Sequence, residues 1–330
     1  MNSTWTGFRS VVAQDIQHFL AYKRSLGRRF EVEEKTLRLF DRYVVEQKIE
    51  HPAQLTAGLI EAFLASRRRP RPRSYNHLLG TVRRLFDWLV DQGRLDRSPV
   101  QTKPRRQTAH RVPFIFDATL AHRLLQVARD LPENSRAPMR GSTYHAIFAV
   151  LYGLGLRVGE ACRLQVADVD FDRRLLLIRE TKFYKSRLVP FGPKMEALLR
   201  QHLQVQTQRR GALSPDAPCF CFTGRGEIHS CTVSQTFHAL VPRLQLEIPP
   251  GCSPPRLHDL RHSFAVGTLL RWYRTGLDPG AGLLKLATFM GHVDARSTAV
   301  YLTITTALFQ EANRRFEAFA RPILVEDLSQ

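Results

Sequence analysis

Hydrophobic positions in the first hundred residues recur at helical spacing, in four separate runs. In 11–27, "VVAQDIQHFLAYKRSLG", Val12, Ile16, Phe19 and Leu20 share one face and Gly27 offers a stop. In 31–49, Leu37, Phe40 and Val44 repeat the pattern. The run 53–68 predicts a third helix with Thr56 as N-cap. The run 74–93, "SYNHLLGTVRRLFDWLVDQG", aligns Leu78, Val82, Leu85, Trp88 and Leu89 and ends at Gly93. Between the last two lies "SRRRPRPRS", where Pro70 and Pro72 predict an extended connector rather than helix.

Beyond residue 112 the pattern lengthens. Helices are predicted over 117–131 and 143–153; the second, "TYHAIFAVLYG", lacks strand-like alternation and reads as buried helix. Two short β-like runs, "RLLLIRE" and "SRLVPF", flank "TKFYK" and predict a hairpin. Helices return in "PKMEALLRQHLQVQTQ" and "TVSQTFHALVPRL". The region after Pro255 reads as helical with glycine breaks, closing on "TALFQEANRRFEAFA", where Phe309, Ala312, Phe316 and Phe319 align. The expected fold class is mainly α with a small β-sheet.

Charge divides this picture. The chain of 330 residues carries a net charge of +19. Residues 66–111 hold 13 Lys/Arg against 3 Asp, whereas residues 1–65 are nearly balanced. With the proline-containing, apolar-poor stretch 97–113, this predicts a basic helical domain over 1–108 and a second domain over 109–330. So local an excess points to a polyanion, with nucleic acid ahead of membrane. Candidate DNA contacts are Arg67, Arg68, Arg69, Arg71, Arg73, Arg83, Arg84, Arg105 and Arg106. No apolar run reaches 18 residues and the first residues lack a secretory pattern, so neither membrane span nor export is expected. Five cysteines without framework spacing fit a reducing, cytoplasmic compartment.

"YGLGLRVGEACRL", 152–164, resembles a nucleotide loop at first sight. Its glycines are spaced G-x-G-x-x-x-G, no strand precedes them, and no Gly-Lys-Ser/Thr follows, so no cofactor is expected. A helix broken and restarted here puts Arg157 at or near a helix N-terminus, where an anion is favoured. "CFCFTGRGEIHSC" brings Cys219, Cys221, His229 and Cys231 close in sequence, but C-x-C is not zinc spacing, and structural cysteines are the reading.

Further along, His258 and Arg261 lie at i, i+3, on one side of a helix; His262 is expected to point away from His258, in packing or a buried hydrogen bond. His292 follows Gly291, and Tyr301 comes nine residues later. With "GLGLRVGEACRLQVADVDF", "TKFYKSRLVPF", "HDLRHSFA" and "MGHVDARSTAVY", in this order, the chain resembles the tyrosine recombinases, or phage integrase family, over about 140–305. The basic module resembles that family's core-binding domain, less specifically.

The resemblance implies that Tyr301 attacks a DNA phosphodiester and that Arg157 and Arg261 clamp its oxygens. His258 is then base or proton shuttle, His292 donates to phosphate, and Lys182 protonates the leaving 5′-oxygen. Guanidinium forks suit the task, and stabilising developing charge is typically the largest catalytic term. Nearby cations are expected to favour the phenolate. A 3′-phosphotyrosyl bond keeps the energy of the cut bond, so neither ATP nor metal nor other cofactor is called for. Exchange through a Holliday junction, by a homo-tetramer on two double-stranded DNA sites with accessory recombinases or directionality factors, is implied as well. The phenylalanine face of 307–320 packs either on a neighbouring subunit or within its own.

Some positions depart from the family pattern. The hairpin turn carries Phe183 and Tyr184 in place of glycine, leaving Lys185 as a rival to Lys182, which position favours. "LTIT" after Tyr301 lacks the histidine of some relatives, and Tyr184 and Tyr273 lack its spacing from a Gly-His. Glu160 and Asp168 read as orienting and structural groups. The alternatives are a type IB topoisomerase-like nicking-closing enzyme and a non-catalytic DNA-binding protein of the same fold. The target sequence is not legible, nor is the choice among phage, transposon and chromosome-dimer elements.

Overall fold

A computed structural model describes residues 7–106, 112–179, 186–223, 226–292, 294, 296–303, 308–311, 313, 314 and 317. The chain divides into two compact units, Met1–His110 and Arg111–Gln330. Among the described residues no helix is long and apolar enough to cross a membrane.

The first unit is helical: α1 Ala13–Ser25, α2 Glu31–Glu46, α3 Ala57–Ser66 and α4 Pro72–Asp91. Val12, Ile16, Phe19, Leu37, Phe40, Leu78, Val82 and Leu85 meet in one core, as their spacing predicts, while Trp88 packs at its edge. The Thr56 hydroxyl accepts from the Leu59 N–H at the start of α3. The basic connector is shorter than expected, because α4 begins at Pro72. Proline at a first helical position loses no intrahelical bond and has its φ preset. Arg73 therefore stands in the first turn of α4 and Arg71 is its N-cap.

The second unit contains α5 Ala118–Arg129, α6 Arg140–Gly153, α7 Val158–Cys162, α8 Pro193–Arg210 and α9 Ser230–Leu240. Then follow α10 Asp259–Arg274, α11 Pro279–Met290 and α12 Arg296–Ala299. Helix α6 buries nearly its whole circumference, including Tyr144, Ile147, Phe148 and Val150, which explains its unbroken apolar run. Among the described residues the sheet has three strands, not two. Strand β1 Val169–Asp170 pairs antiparallel with β2 Leu175–Ile178, and β2 pairs antiparallel with β3 Arg187–Pro190. Helix α10 runs through Gly267 without the expected break. A separate small core joins Ala265, Val266 and Leu269 of α10 to Leu286 and Met290 of α11, and to Tyr301 and Leu308. Of the predicted terminal phenylalanine face, Phe309 is exposed, while Ala312, Phe316 and Phe319 lie outside the described residues.

Candidate active site

The carboxyl end of α11 organises the candidate site. A helix leaves its last carbonyls without intrahelical partners and carries partial negative charge there. Here three arginines from distant parts of the chain take up three consecutive carbonyls. Arg187 Nε donates to Phe289 O at 2.9 Å, Arg261 Nη2 to Met290 O at 2.6 Å, and Arg157 Nη2 to Gly291 O at 2.8 Å. Gly291 ends the helix in the left-handed region at φ 67°, and the His292 N–H bonds back to Ala287 O at 2.9 Å. A Cβ on Gly291 would lie 2.8 Å from Arg187 Nη1, so both conformation and space call for glycine.

Glu160 ties two of these guanidiniums together. Its carboxylate accepts from the Arg157 N–H at 2.9 Å and Nη1 at 2.7 Å, and from Arg187 Nη1 and Nη2 at 2.9 and 2.8 Å. Burial alone would raise its pKa, but the hydrogen bonds and charge of Arg187, followed by Arg157, bring it down to about 2. Arg157 caps α7, as the glycine break predicts. That break needs glycine: Gly155 has φ 60°, and a Cβ there would come within 2.4 Å of the Phe264 ring. Gly155 O in turn accepts from Arg261 Nη1. Arg261 is 1% exposed, and burial followed by the charge of Arg157 lowers its pKa to about 10, so it remains a cation at neutral pH. Arg157, Arg187 and Arg261 with Glu160 sum to a formal +2. Such a grouping, half-exposed at Arg157, suits an anion that presents several oxygens.

Tyr301 sits beside this cluster, in the turn after α12, 2% exposed. Its ring stacks with that of His292 at 6.3 Å between centroids, and His292 Nδ1 bonds with Thr298 Oγ1 at 2.7 Å. Its hydroxyl bonds with His262 Nδ1 at 2.8 Å. His262 thus corrects the expectation that it points away from His258: the two rings meet edge-on at 4.7 Å. Positions i and i+4 share a helix face, so the spacing itself carries that signal. Burial also reverses the expected ease of ionisation. It raises the Tyr301 phenol above its ordinary range, outweighing the opposing charges of Arg261 and Arg157. His258, His262 and His292 are each held down at about 4, first by burial and then by neighbouring charge, and are neutral at pH 7.

The structure therefore brings together Arg157, His258, Arg261, His292 and Tyr301, and adds Arg187 and His262. Arg187 lies in the stretch "TKFYKSRLVPF", but its partners are 27 and 102 residues away, so sequence reading does not assign it to the site. Lys182 and Lys185 lie outside the described residues, as does the turn between them. Asp168 is structural: its carboxylate accepts from the Gln165 N–H at 2.9 Å and from Arg179. Cys219 and Cys221 are buried, and the His229 side chain caps α9. Among the described residues no group of three His, Cys, Asp or Glu side chains gathers as a metal site would.

In the first unit, Arg68, Arg71, Arg73, Arg84, Arg105 and Arg106 are exposed, and Arg67, Arg69 and Arg83 are half-buried. The chain after α4 is pinned against it. Asn76 bonds the backbone N–H and carbonyl of Arg105, each at 2.7 Å, and the Arg105 guanidinium covers the Tyr75 ring at 3.8 Å. Arg83 turns inward to the Thr102 carbonyl. Arg84 approaches Glu33 at 3.8 Å, which offsets part of its charge.

A family model described as the phage integrase family matches residues 118–307. The chain is 35% identical to "Putative integrase/recombinase y4rB" of Sinorhizobium fredii, over 93% of this chain and 98% of that one. It is 28% identical to tyrosine recombinase XerC of Xanthomonas axonopodis pv. citri, over 76% and 74%. Among solved structures, a Tn1549 transposon integrase in complex with transposon right-end DNA superposes with TM-score 0.63 at 15% identity, over 93% of this chain and 98% of that one. A lambda integrase dimer bound to a COC′ core site gives TM-score 0.60 at 17% identity, over 86% and 95%. These two likenesses concern the fold.

Proposed function

The chain belongs to the phage integrase family, and from that premise we propose how its site acts. The protein is a site-specific DNA recombinase, a strand transferase of the tyrosine type. Tyr301 is its nucleophile, cutting DNA through a 3′-phosphotyrosyl bond, and a second strand's 5′-hydroxyl then attacks that bond. Arg157 and Arg261 bind the non-bridging oxygens of the scissile phosphate, with Arg187 holding both Glu160 and the end of α11 in place. His292 donates to a phosphate oxygen, and Lys182, ahead of Lys185, protonates the leaving 5′-oxygen. The observation that carries this reading is the convergence of two guanidiniums and the Tyr301 ring on the end of α11 and the two residues after it, Gly291 and His292.

The first unit, with Arg67, Arg68, Arg69, Arg71, Arg73, Arg105 and Arg106, tracks the DNA backbone; Arg83 contributes less because it turns inward to the Thr102 carbonyl, and Arg84 because Glu33 offsets part of its charge. A tetramer on two sites, a Holliday junction, accessory proteins, action on a mobile element and a place in the bacterial cytoplasm complete the proposal. Relatives named integrase/recombinase and tyrosine recombinase, and superposed integrases solved with DNA, support a recombinase that acts on DNA. The test starts from genomic DNA that becomes covalently attached to the protein. Two differently labelled duplexes carrying that sequence should exchange strands. Relaxation of a supercoiled plasmid bearing one copy, with no exchange between duplexes, would assign the nicking-closing activity instead.

A further inference from the structure

Strand transfer of this kind, on which the inference rests, needs an acceptor for the phenolic proton, because burial raises the Tyr301 pKa. The imidazole in hydrogen-bond contact with the phenol is that of His262, at 2.8 Å. Its far nitrogen, Nε2, faces Asp259 Oδ1 at 3.9 Å. That carboxylate is fully buried and anchored by the Arg256 N–H at 2.9 Å and Arg256 Nη2 at 3.0 Å. A carboxylate on the Nε2 side favours the proton there and leaves the lone pair on Nδ1, aimed at the phenol. The order hydroxyl, imidazole, carboxylate is that of an activated nucleophile, a base and its orienter.

From this geometry we infer that His262 is the proton acceptor for Tyr301, with Asp259 as the group that orients it and stabilises the imidazolium. In the cutting step the Tyr301 O–H bond breaks and its proton passes to His262 Nδ1. The electron pair left on the oxygen forms the new O–P bond. The P–O5′ bond breaks, and its electron pair leaves on the 5′-oxygen, which takes a proton from the lysine acid. In resealing, the incoming 5′-hydroxyl returns its proton to that lysine, and the departing phenol recovers its own from His262.

The groups facing His262 set its basicity. His258, Asp259 and Arg261 lie on or at the start of its own helix, Arg256 just before it, His292 at the end of α11, and Tyr301 after α12. Burial, followed by the charges of Arg256 and Arg261, keeps the imidazole neutral and able to accept. An anionic phosphodiester among these arginines offsets their charge and makes His262 a stronger base when it is needed.

The test uses the full chain and a nicked duplex of the covalently mapped sequence, and follows adduct formation in single turnover from pH 6 to 9.5. The wild type is compared with His262→Asn, whose side-chain oxygen still accepts from the phenol but takes no proton. His262→Gln stands by should that variant fail to fold. The variant should cut about 10²- to 10⁴-fold more slowly at pH 7. The deficit should shrink about tenfold per pH unit as hydroxide replaces the base. Cutting at the wild-type rate throughout, or a deficit that does not change with pH, overturns the role of His262 and leaves strand transfer intact. No adduct with the wild type overturns the strand-transfer reading, and this inference with it.

Discussion

Replacing Glu160 by glutamine removes the carboxylate that holds Arg157 and Arg187, while keeping its shape. The carboxyl titrates at about 2 in the folded protein, against an ordinary 4.5. That difference corresponds to about 3 kcal/mol of stability at neutral pH. The variant should lose roughly this amount, because two guanidiniums then share one amide oxygen and face its amide protons. For a unit of this size, 3 kcal/mol lowers the melting temperature by about 6–12 °C. The sign of the pH dependence follows from the lowered pKa. The contribution is complete above pH 4.5 and fades as pH falls toward 2, where the wild-type side chain becomes neutral too. The gap between the two proteins should therefore be about half as large at pH 3 as at pH 7. Scanning calorimetry of both at pH 7, 4 and 3 measures it. A melting temperature within about 2 °C of wild type at pH 7, or a gap that ignores pH, refutes the linkage.

Gly291→Ala should destabilise by roughly 1–2 kcal/mol from its left-handed φ alone, seen in urea melts, and should slow DNA cutting further by displacing Arg187. Alanine at Arg67, Arg68 and Arg69 together should make the slope of log affinity against log salt shallower by about 1 per lost phosphate contact; an unchanged slope removes them from the interface. Lys182→Ala should cut ordinary DNA poorly, yet recover on a substrate whose leaving 5′-oxygen is replaced by sulfur, which departs without a proton. Recovery by Lys185→Ala instead would reassign the acid.

Much of this site was legible because its motifs state local geometry. The glycine break before Arg157 predicts a helix start there, and the structure has Arg157 as the cap of α7. The apolar periodicity of 74–93 predicts α4, though not its start at Pro72, which depends on proline's tolerance at a first helical position. What escaped is non-local or too short to leave a pattern. Strand β1 has two residues. Arg187 lies within the matching stretch "TKFYKSRLVPF", but its part in the site is defined by Glu160 and by a carbonyl beyond α10. The three carbonyls at the end of α11 are backbone atoms that every residue has, so only the fold reveals their use. The side of the helix on which His262 lies is legible in its i+4 spacing from His258, whereas its partner, the hydroxyl of Tyr301, lies 39 residues away and only the fold brings the two together.

The central claim is that the arginines gathered at the end of α11 direct a phosphodiester to the oxygen of Tyr301. It is tested most directly by digesting the trapped protein–DNA adduct and identifying the attached residue by mass spectrometry. The account predicts DNA on Tyr301 in the wild type and no adduct from Tyr301→Phe. DNA found on Tyr273, or an adduct that survives that substitution, would contradict it.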